Sequence, residues 1–206
     1  NYPTLKDAFD AINLQNQAGY NITITVNGST NETASAVLNT GNWTSIDIYP
    51  TSTGYTISGD IAGPLIDLNG ADHVTFDGRV DQAGTTADLT IINTSTSAAS
   101  GTSTITLHAD AIDNQFTYCN ILGSYTGAAG TSGGTILVST GIASGNDNNT
   151  FNLNNIGSNG INLSSQAIVF LGNAFSNNGN IIDRNNIFDY FSPFAASAGI
   201  YISNTT

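Results

Sequence analysis

Basic side chains are almost missing: Lys6, Arg79 and Arg184 stand against 15 acidic residues, for a net charge of −12 over 206 residues. Such a surface repels phosphate backbones and anionic headgroups, which excludes nucleic acid as a natural partner. Charged residues of both signs reach only 9% while apolar ones make up 39%. Solubility therefore rests on Asn, Thr, Ser and Gly, an unusual balance for a cytosolic enzyme. Cysteine is down to Cys119 alone, so no disulfide can staple the chain internally. Placed between Tyr118 and Asn120 in a repeated segment, it reads as a packed thiol rather than a nucleophile. No apolar run approaches the roughly eighteen residues of a spanning helix, and no basic-then-apolar leader opens the sequence, so direct membrane insertion is not expected. The first and last residues, Asn1-Tyr2-Pro3 and Asn204-Thr205-Thr206, look like cut points, and a longer parent chain is expected.

What is present is order in short pieces. In residues 4–19, Thr4 is placed to cap a helix with Asp7 three residues on. Leu5, Ala8, Phe9 and Ile12 then share one face, and Gly19 ends the segment. This predicts one amphipathic helix over 5–17. Directly after it, Asn21-Ile-Thr-Ile-Thr-Val26 alternates as a strand with one buried face. Strands of three to eight residues follow at 45–50, 55–58, 65–70, 73–78, 89–93, 104–107, 116–121, 135–139, 150–156, 161–163, 167–172, 181–188 and 199–203. Clusters of Gly, Asn, Ser and Asp separate them, and proline, with four residues in all, hardly interrupts.

One pattern recurs. Asn114 to Ile121, Asn149 to Ile156 and Asn180 to Ile187 each begin with Asn and end in Asn-Ile, at intervals of 35 and 31 residues. Self-similarity at about 20–50 residues signals a solenoid, whose units cannot cover their own apolar faces and must stack. The expected fold class is all-β: a right-handed parallel β-helix with an N-terminal α-helical cap. It forms one domain over 1–206, with a capping helix in 1–19 and stacked coils in 20–206. Coils rise by the inter-strand spacing of about 4.8 Å, so Asn120, Asn155 and Asn186 are expected to form one side-chain ladder and Asn114, Asn149 and Asn180 another. Ile121, Ile156 and Ile187 would stack inside, with Phe116, Phe151 and Ile182 as a second interior column. Tyr118, Leu153 and Arg184 occupy the next inward parity, where Arg184 breaks the column. An antiparallel sandwich would need tight hairpin turns; Asp77-Gly78, Asn27-Gly28, Asn69-Gly70 and Asn159-Gly160 serve equally well as coil corners.

The helix 2–13 leading into 22–26, then residues 72–80, 88–94 and the Asn-start coils, resemble the right-handed β-helix of the pectin-lyase-like superfamily. More narrowly, the chain is similar to the β-helix repeats of very long secreted bacterial surface proteins of the type IX secretion kind. The likeness spans nearly the whole chain, but its motifs are architectural. It implies an extracellular, secreted or cell-surface location and adhesin-like roles, and it assigns no reaction.

Enzymes of that superfamily cut acidic polysaccharides, yet their hydrolase elements are not seen: there is no adjacent Asp pair, no Gly-His-Gly and no Arg-Ile-Lys. A lyase needs a cationic base next to the substrate carboxylate. Only Arg79 and Arg184 qualify, and Arg79 between Asp77 and Asp81 reads as a surface ion pair. His73 and His108 read as turn residues, and the Gly-rich 127–134 as a corner loop. Asp72, Asp77 and Asp81, or Asp110 and Asp113, offer oxygen ligands for a structural Ca²⁺, but no nonapeptide calcium repeat occurs and no cofactor is expected. Trp43, Tyr49, Tyr55 and Tyr125 are candidates to stack on sugar rings. The expected function is therefore a non-enzymatic stalk or adhesin segment of a large surface protein. It would contact glycans or cell-surface ligands, associate with further copies or continue into more coils. The alternative is a polysaccharide lyase or glycoside hydrolase, which a lateral groove lined by Arg79 and two or more Asp carboxylates would favour. No catalytic or metal-ligating set is assigned.

Overall fold

The computed structural model describes residues 1–203; residues 204–206, the last three of the expected solenoid, lie outside the described residues. The protein is nearly all β. One α-helix, α1 (Leu5–Asn13), leads into six coils of three strands each. Coil 1 comprises β1 (Asn21–Val26), β2 (Thr30–Glu32) and β3 (Ala36–Asn39), and coil 2 comprises β4 (Ser45–Pro50), β5 (Thr56–Gly59) and β6 (Pro64–Asn69). Coil 3 has β7 (Val74–Asp77), β8 (Leu89–Asn93) and β9 (Ser103–His108); coil 4 has β10 (Gln115–Thr117), β11 (Cys119–Leu122) and β12 (Gly134–Val138). Coil 5 is β13 (Thr150–Asn152), β14 (Asn155–Gly157) and β15 (Gln166–Leu171), and coil 6 is β16 (Ile181–Asp183), β17 (Asn186–Ile187) and β18 (Ala198–Ser203). Corresponding strands of successive coils pair in parallel, giving three six-stranded sheets: the first starts at β1, the second at β2 and the third at β3.

Alternation puts every second side chain inside, and the coil repeat places like on like. In the first sheet Ile24, Ile48, Phe76, Phe116, Phe151 and Ile182 share a column. The rings of Phe76 and Phe116 stack with centroids 5.0 Å apart, and those of Phe116 and Phe151 at 5.4 Å. Ile57, Ile91, Ile121, Ile156 and Ile187 form the column of the second sheet. Ile66, Ile105, Ile136, Ile168 and Ile200 form one in the third. Each fully buried member contributes about 1.5–3 kcal/mol relative to exposure, so the columns are the main source of cohesion.

Three expected strands turn out to be two each. Tyr118, Leu153 and Arg184 adopt φ of 51°, 58° and 51°, and at each of them the chain turns from the first sheet into the second. They form a corner column rather than an interior one: Tyr118 and Leu153 are half-buried and Arg184 is exposed. The pairing register runs unbroken on either side of Arg184, with Asn152 opposite Asp183 and Asn155 opposite Asn186. The expected strand at 161–163 is instead part of a loop, with Ile161 exposed. Conversely β2 and β3 carry too little alternation to announce themselves.

The helix begins as expected: the Thr4 hydroxyl accepts the Asp7 N–H at 3.1 Å and donates to the Asp7 carboxylate at 2.6 Å, while Leu5, Ala8, Phe9 and Ile12 are buried. It ends at Asn13, short of 17, because the Asn13 side chain pairs with the edge of β3, donating to Val37 O and accepting the Asn39 N–H. Its N-terminus is fixed by Glu32, the one glutamate in the sequence. Glu32 is buried, and its two carboxylate oxygens accept the Leu5 and Lys6 N–H groups at 3.0 Å each. A carboxylate there meets both the unpaired amides and the positive end of the helix dipole. The helix thus lies over β3 and, less extensively, β2 as a lid, with a concavity left between it and β1.

Candidate functional site

The densest polar constructions in the molecule are ladders of asparagine. Asn114, Asn149 and Asn180 precede β10, β13 and β16 by one residue and face inward; the first two are buried. Asn114 Oδ1 accepts the Val74 N–H at 2.9 Å, while its Nδ2 donates to Ala71 O and to Asn149 Oδ1. Asn149 Oδ1 also accepts the Asn114 N–H at 3.0 Å, its Nδ2 donates to Ala111 O, and Asn180 Oδ1 accepts the Asn149 N–H. Each carboxamide thereby satisfies corner backbone groups that no strand reaches. On the outer face of the second sheet, Asn155 Nδ2 donates to Asn120 Oδ1 at 2.8 Å and Asn186 Nδ2 to Asn155 Oδ1 at 3.4 Å.

Two more ladders escaped the sequence reading. Asn185 Oδ1 accepts from the N–H and Nδ2 of Asn154, whose own Oδ1 accepts the Cys119 N–H. Asn177 Oδ1 likewise accepts from the N–H and Nδ2 of Asn146, whose Oδ1 accepts the Ala111 N–H. The doubled Asn of Asn154-Asn155 and Asn185-Asn186 was the available signal: one of each pair points inward and the other outward.

Of the candidates for chemistry, Arg79, Arg184 and His108 each have an ion-pair partner, and Cys119 is packed. Arg79 reaches back to Asp77, with Nε to Oδ1 at 2.9 Å and Nη2 to Oδ2 at 2.5 Å. It donates to Gly84 O and lies over the Tyr118 ring at 4.6 Å. The Asp77 contact raises its pKa further, the opposite of what a proton-abstracting base requires. Arg184 is exposed and paired with Asp183 at 2.7 Å. Cys119 is buried, and burial followed by the nearby Asp77 charge pushes its thiol up, away from thiolate chemistry. His73 is a left-handed corner residue with φ 57°. His108 Nε2 sits 2.9 Å from Asp67 Oδ1, and that contact raises its pKa.

The acidic corners are likewise occupied. The Asp72 carboxylate accepts the Ile112 N–H at 2.8 Å, and burial raises its pKa. Asp110 fills a nest of main-chain amides from Ile142, Ala143, Ser144 and Gly145, at 2.8–3.2 Å. Burial opposes its ionisation, but the four donors together hold its pKa below the ordinary value. Among the described residues no three His, Cys, Asp or Glu side chains converge as metal ligands would. None of their helices is long and apolar enough to cross a membrane.

Two of the four candidate sugar-stacking aromatics are buried. Trp43 donates Nε1–H to Asp72 O at 2.7 Å, and the Tyr125 hydroxyl meets Thr131 Oγ1 at 2.6 Å. Tyr55 packs against the core, leaving Tyr49 half-exposed on the first sheet. The chain matches no protein-family model, no curated protein and no solved structure. A concavity of about 650 Å³ lies at the N-terminal end, between α1 and β1. Arg79 and Arg184 do not line it.

Proposed function

We propose that the chain is a non-enzymatic, extracellular segment of a large bacterial surface protein, a pectin-lyase-like solenoid serving as a stalk or adhesin-like spacer. The observation that carries this reading is the coil-to-coil network of side-chain amides through coils 4–6, combined with the local engagement of every cationic candidate. Arg79, which a lyase would aim at a substrate carboxylate, is instead committed to Asp77, Gly84 O and the Tyr118 ring. Amide ladders of this kind add directional bonds to an apolar stack and hold corners in a single register, as a rigid spacer requires. The acidic charge with few cations suits contact with solvent or neutral glycans rather than anionic polymers. No structural Ca²⁺ is invoked.

The test is incubation of the soluble chain with pectin and with alginate, following both unsaturated products and new reducing ends, alongside a glycan array. A stalk yields neither product and either silence or binding without turnover on the array. Product formation that disappears with Arg79→Ala would overturn the reading in favour of a lyase.

A further inference from the structure

The lid is incomplete, and the way it is incomplete has a shape. In coil 2 the interior isoleucines of the first sheet, Ile46 and Ile48, are fully buried, whereas their counterparts in coil 1, Ile22 and Ile24, are only half-buried. They face the slot between β1 and α1, whose opposite wall carries Leu5, Ala8 and Ile12. The peptide groups of β1 alternate in direction: the carbonyls of Tyr20 and Val26 accept the Thr44 and Thr51 N–H groups of coil 2, at 2.8 and 3.1 Å. Even-numbered residues thus turn their amides and carbonyls toward β4, and Thr23 and Thr25 turn theirs into the slot, where the sheet has no further strand among the described residues. No Asp, Glu, Lys, Arg or His lines this slot, in a chain of net charge −12.

We propose that the open edge of β1, with the slot beside it, is a docking site for one extended, uncharged peptide strand that pairs with Thr23 and Thr25 and places alternate apolar side chains over Ile22 and Ile24. Main-chain bonds supply the attachment and the apolar floor supplies the selectivity, as in other strand-addition sites. A charged strand is disfavoured because no lining side chain offers a counter-ion. The site continues the ladder of the first sheet by one strand, so the geometry of the occupant is that of the β1–β4 pair already present.

The probe is an acetylated, amidated hexapeptide with the sequence of β1 itself, Asn-Ile-Thr-Ile-Thr-Val, titrated into the full chain while amide hydrogen exchange is read residue by residue. Saturation is expected to slow exchange at Thr23 and Thr25 about tenfold or more, with Ile121 and Ile156 unchanged. A peptide with Lys at both Ile positions, whose side chains would lie over Ile22 and Ile24, should bind about tenfold more weakly or worse. Thr25→Pro removes a slot-facing N–H that the fold does not use, at an edge where proline is tolerated, and should weaken binding by a similar factor without lowering the thermal midpoint. Thr23→Pro repeats the test if Thr25→Pro lowers that midpoint. Undiminished binding by a proline variant that melts normally, protection elsewhere than β1, or no protection at the peptide's solubility limit would overturn the proposal. So would protection of Thr23 and Thr25 in the free chain under conditions where it sediments as a dimer, which would give the edge to a second copy.

Discussion

Coils 1–3 and coils 4–6 fill the same interior position with opposite chemistry. At the start of the first sheet's strands stand Ile22, Ile46 and Val74 in the first three coils, then Asn114, Asn149 and Asn180 in the last three. The aliphatic trio gains only burial and dispersion. The amide trio gains less from leaving water but ties each corner's backbone to the coil beyond it. The connection from first to second sheet changes at the same place. Residues 27–29, 51–55 and 78–88 make it in coils 1–3, while coils 4–6 turn at Tyr118, at 153–154 and at 184–185. A tight corner strands more peptide groups per coil, and the inward Asn154 and Asn185 satisfy them by donating to Phe116 O and Phe151 O. The longest corner, 78–88, closes on itself, with the Asp88 and Leu89 N–H groups donating to Gly78 O, whereas Thr51 and Gly54 in the corner before it donate to Val26 O and Asp88 O of neighbouring coils.

The largest effect is expected where both halves share one device. Phe116→Ala opens the stacked ring column between Phe76 and Phe151 and should cost about 3–5 kcal/mol in urea unfolding. Asn149→Val separates the halves: it deletes the acceptor of two Asn114 donors and the donor to Ala111 O, leaving buried groups unmet, for about 2–4 kcal/mol. A Val substitution there that proved as mild as Ile46→Val would erase the distinction. Asp110→Ala empties the amide nest of 142–145 and should cost about 1–2 kcal/mol at neutral pH, less than a buried site because the loop meets water. The folded pKa of Asp110 is depressed, so its contribution is present above the unfolded value of about 3.9 and lost as pH falls through the folded one. The gap between wild type and variant should close in acid. Ile46→Val, in the apolar half of the column, should cost about 0.5–1.5 kcal/mol.

The smallest effect concerns the third sheet. His108 has its pKa raised by Asp67, so their pairing stabilises fully below about pH 6.5 and is lost as pH rises through the elevated folded value. With His108 partly exposed, the loss should stay within about 1 kcal/mol. A thermal midpoint that drifts down from mildly acid to mildly alkaline buffer, and does so less in Asp67→Asn, is the expected result.

Which parts of this were legible follows from how local each signal was. The Asn-start repeat was visible because stacking demands the same residue at the same place in each coil, and it located the Asn120/Asn155/Asn186 register and the Phe116/Phe151/Ile182 column together. The corners at Tyr118, Leu153 and Arg184 were hidden, since left-handed backbone usually advertises itself through Gly, Asn or Asp, and here it is imposed by the ladders on either side. Burial of Trp43 and Tyr125 depends on partners 29 and 6 residues away, which no local pattern encodes. Glu32 gave a signal of a kind, the sole glutamate in a polar run, but its role required knowing that α1 folds back over coil 1. The spacing of the acid–base candidates reads as structural, but the partners that hold them are distant in sequence: His108 meets Asp67, and Asp72 accepts the Ile112 N–H.

The central claim is that equivalent residues of successive coils lie directly over one another, and selective methyl labelling tests it most directly. Through-space contacts are predicted from Ile121 to Ile156 and from Ile156 to Ile187 in the second sheet, and from Ile105 to Ile136 and Ile136 to Ile168 in the third. Contacts that instead join strands adjacent in sequence as antiparallel hairpins, with those isoleucine pairs silent, would contradict it.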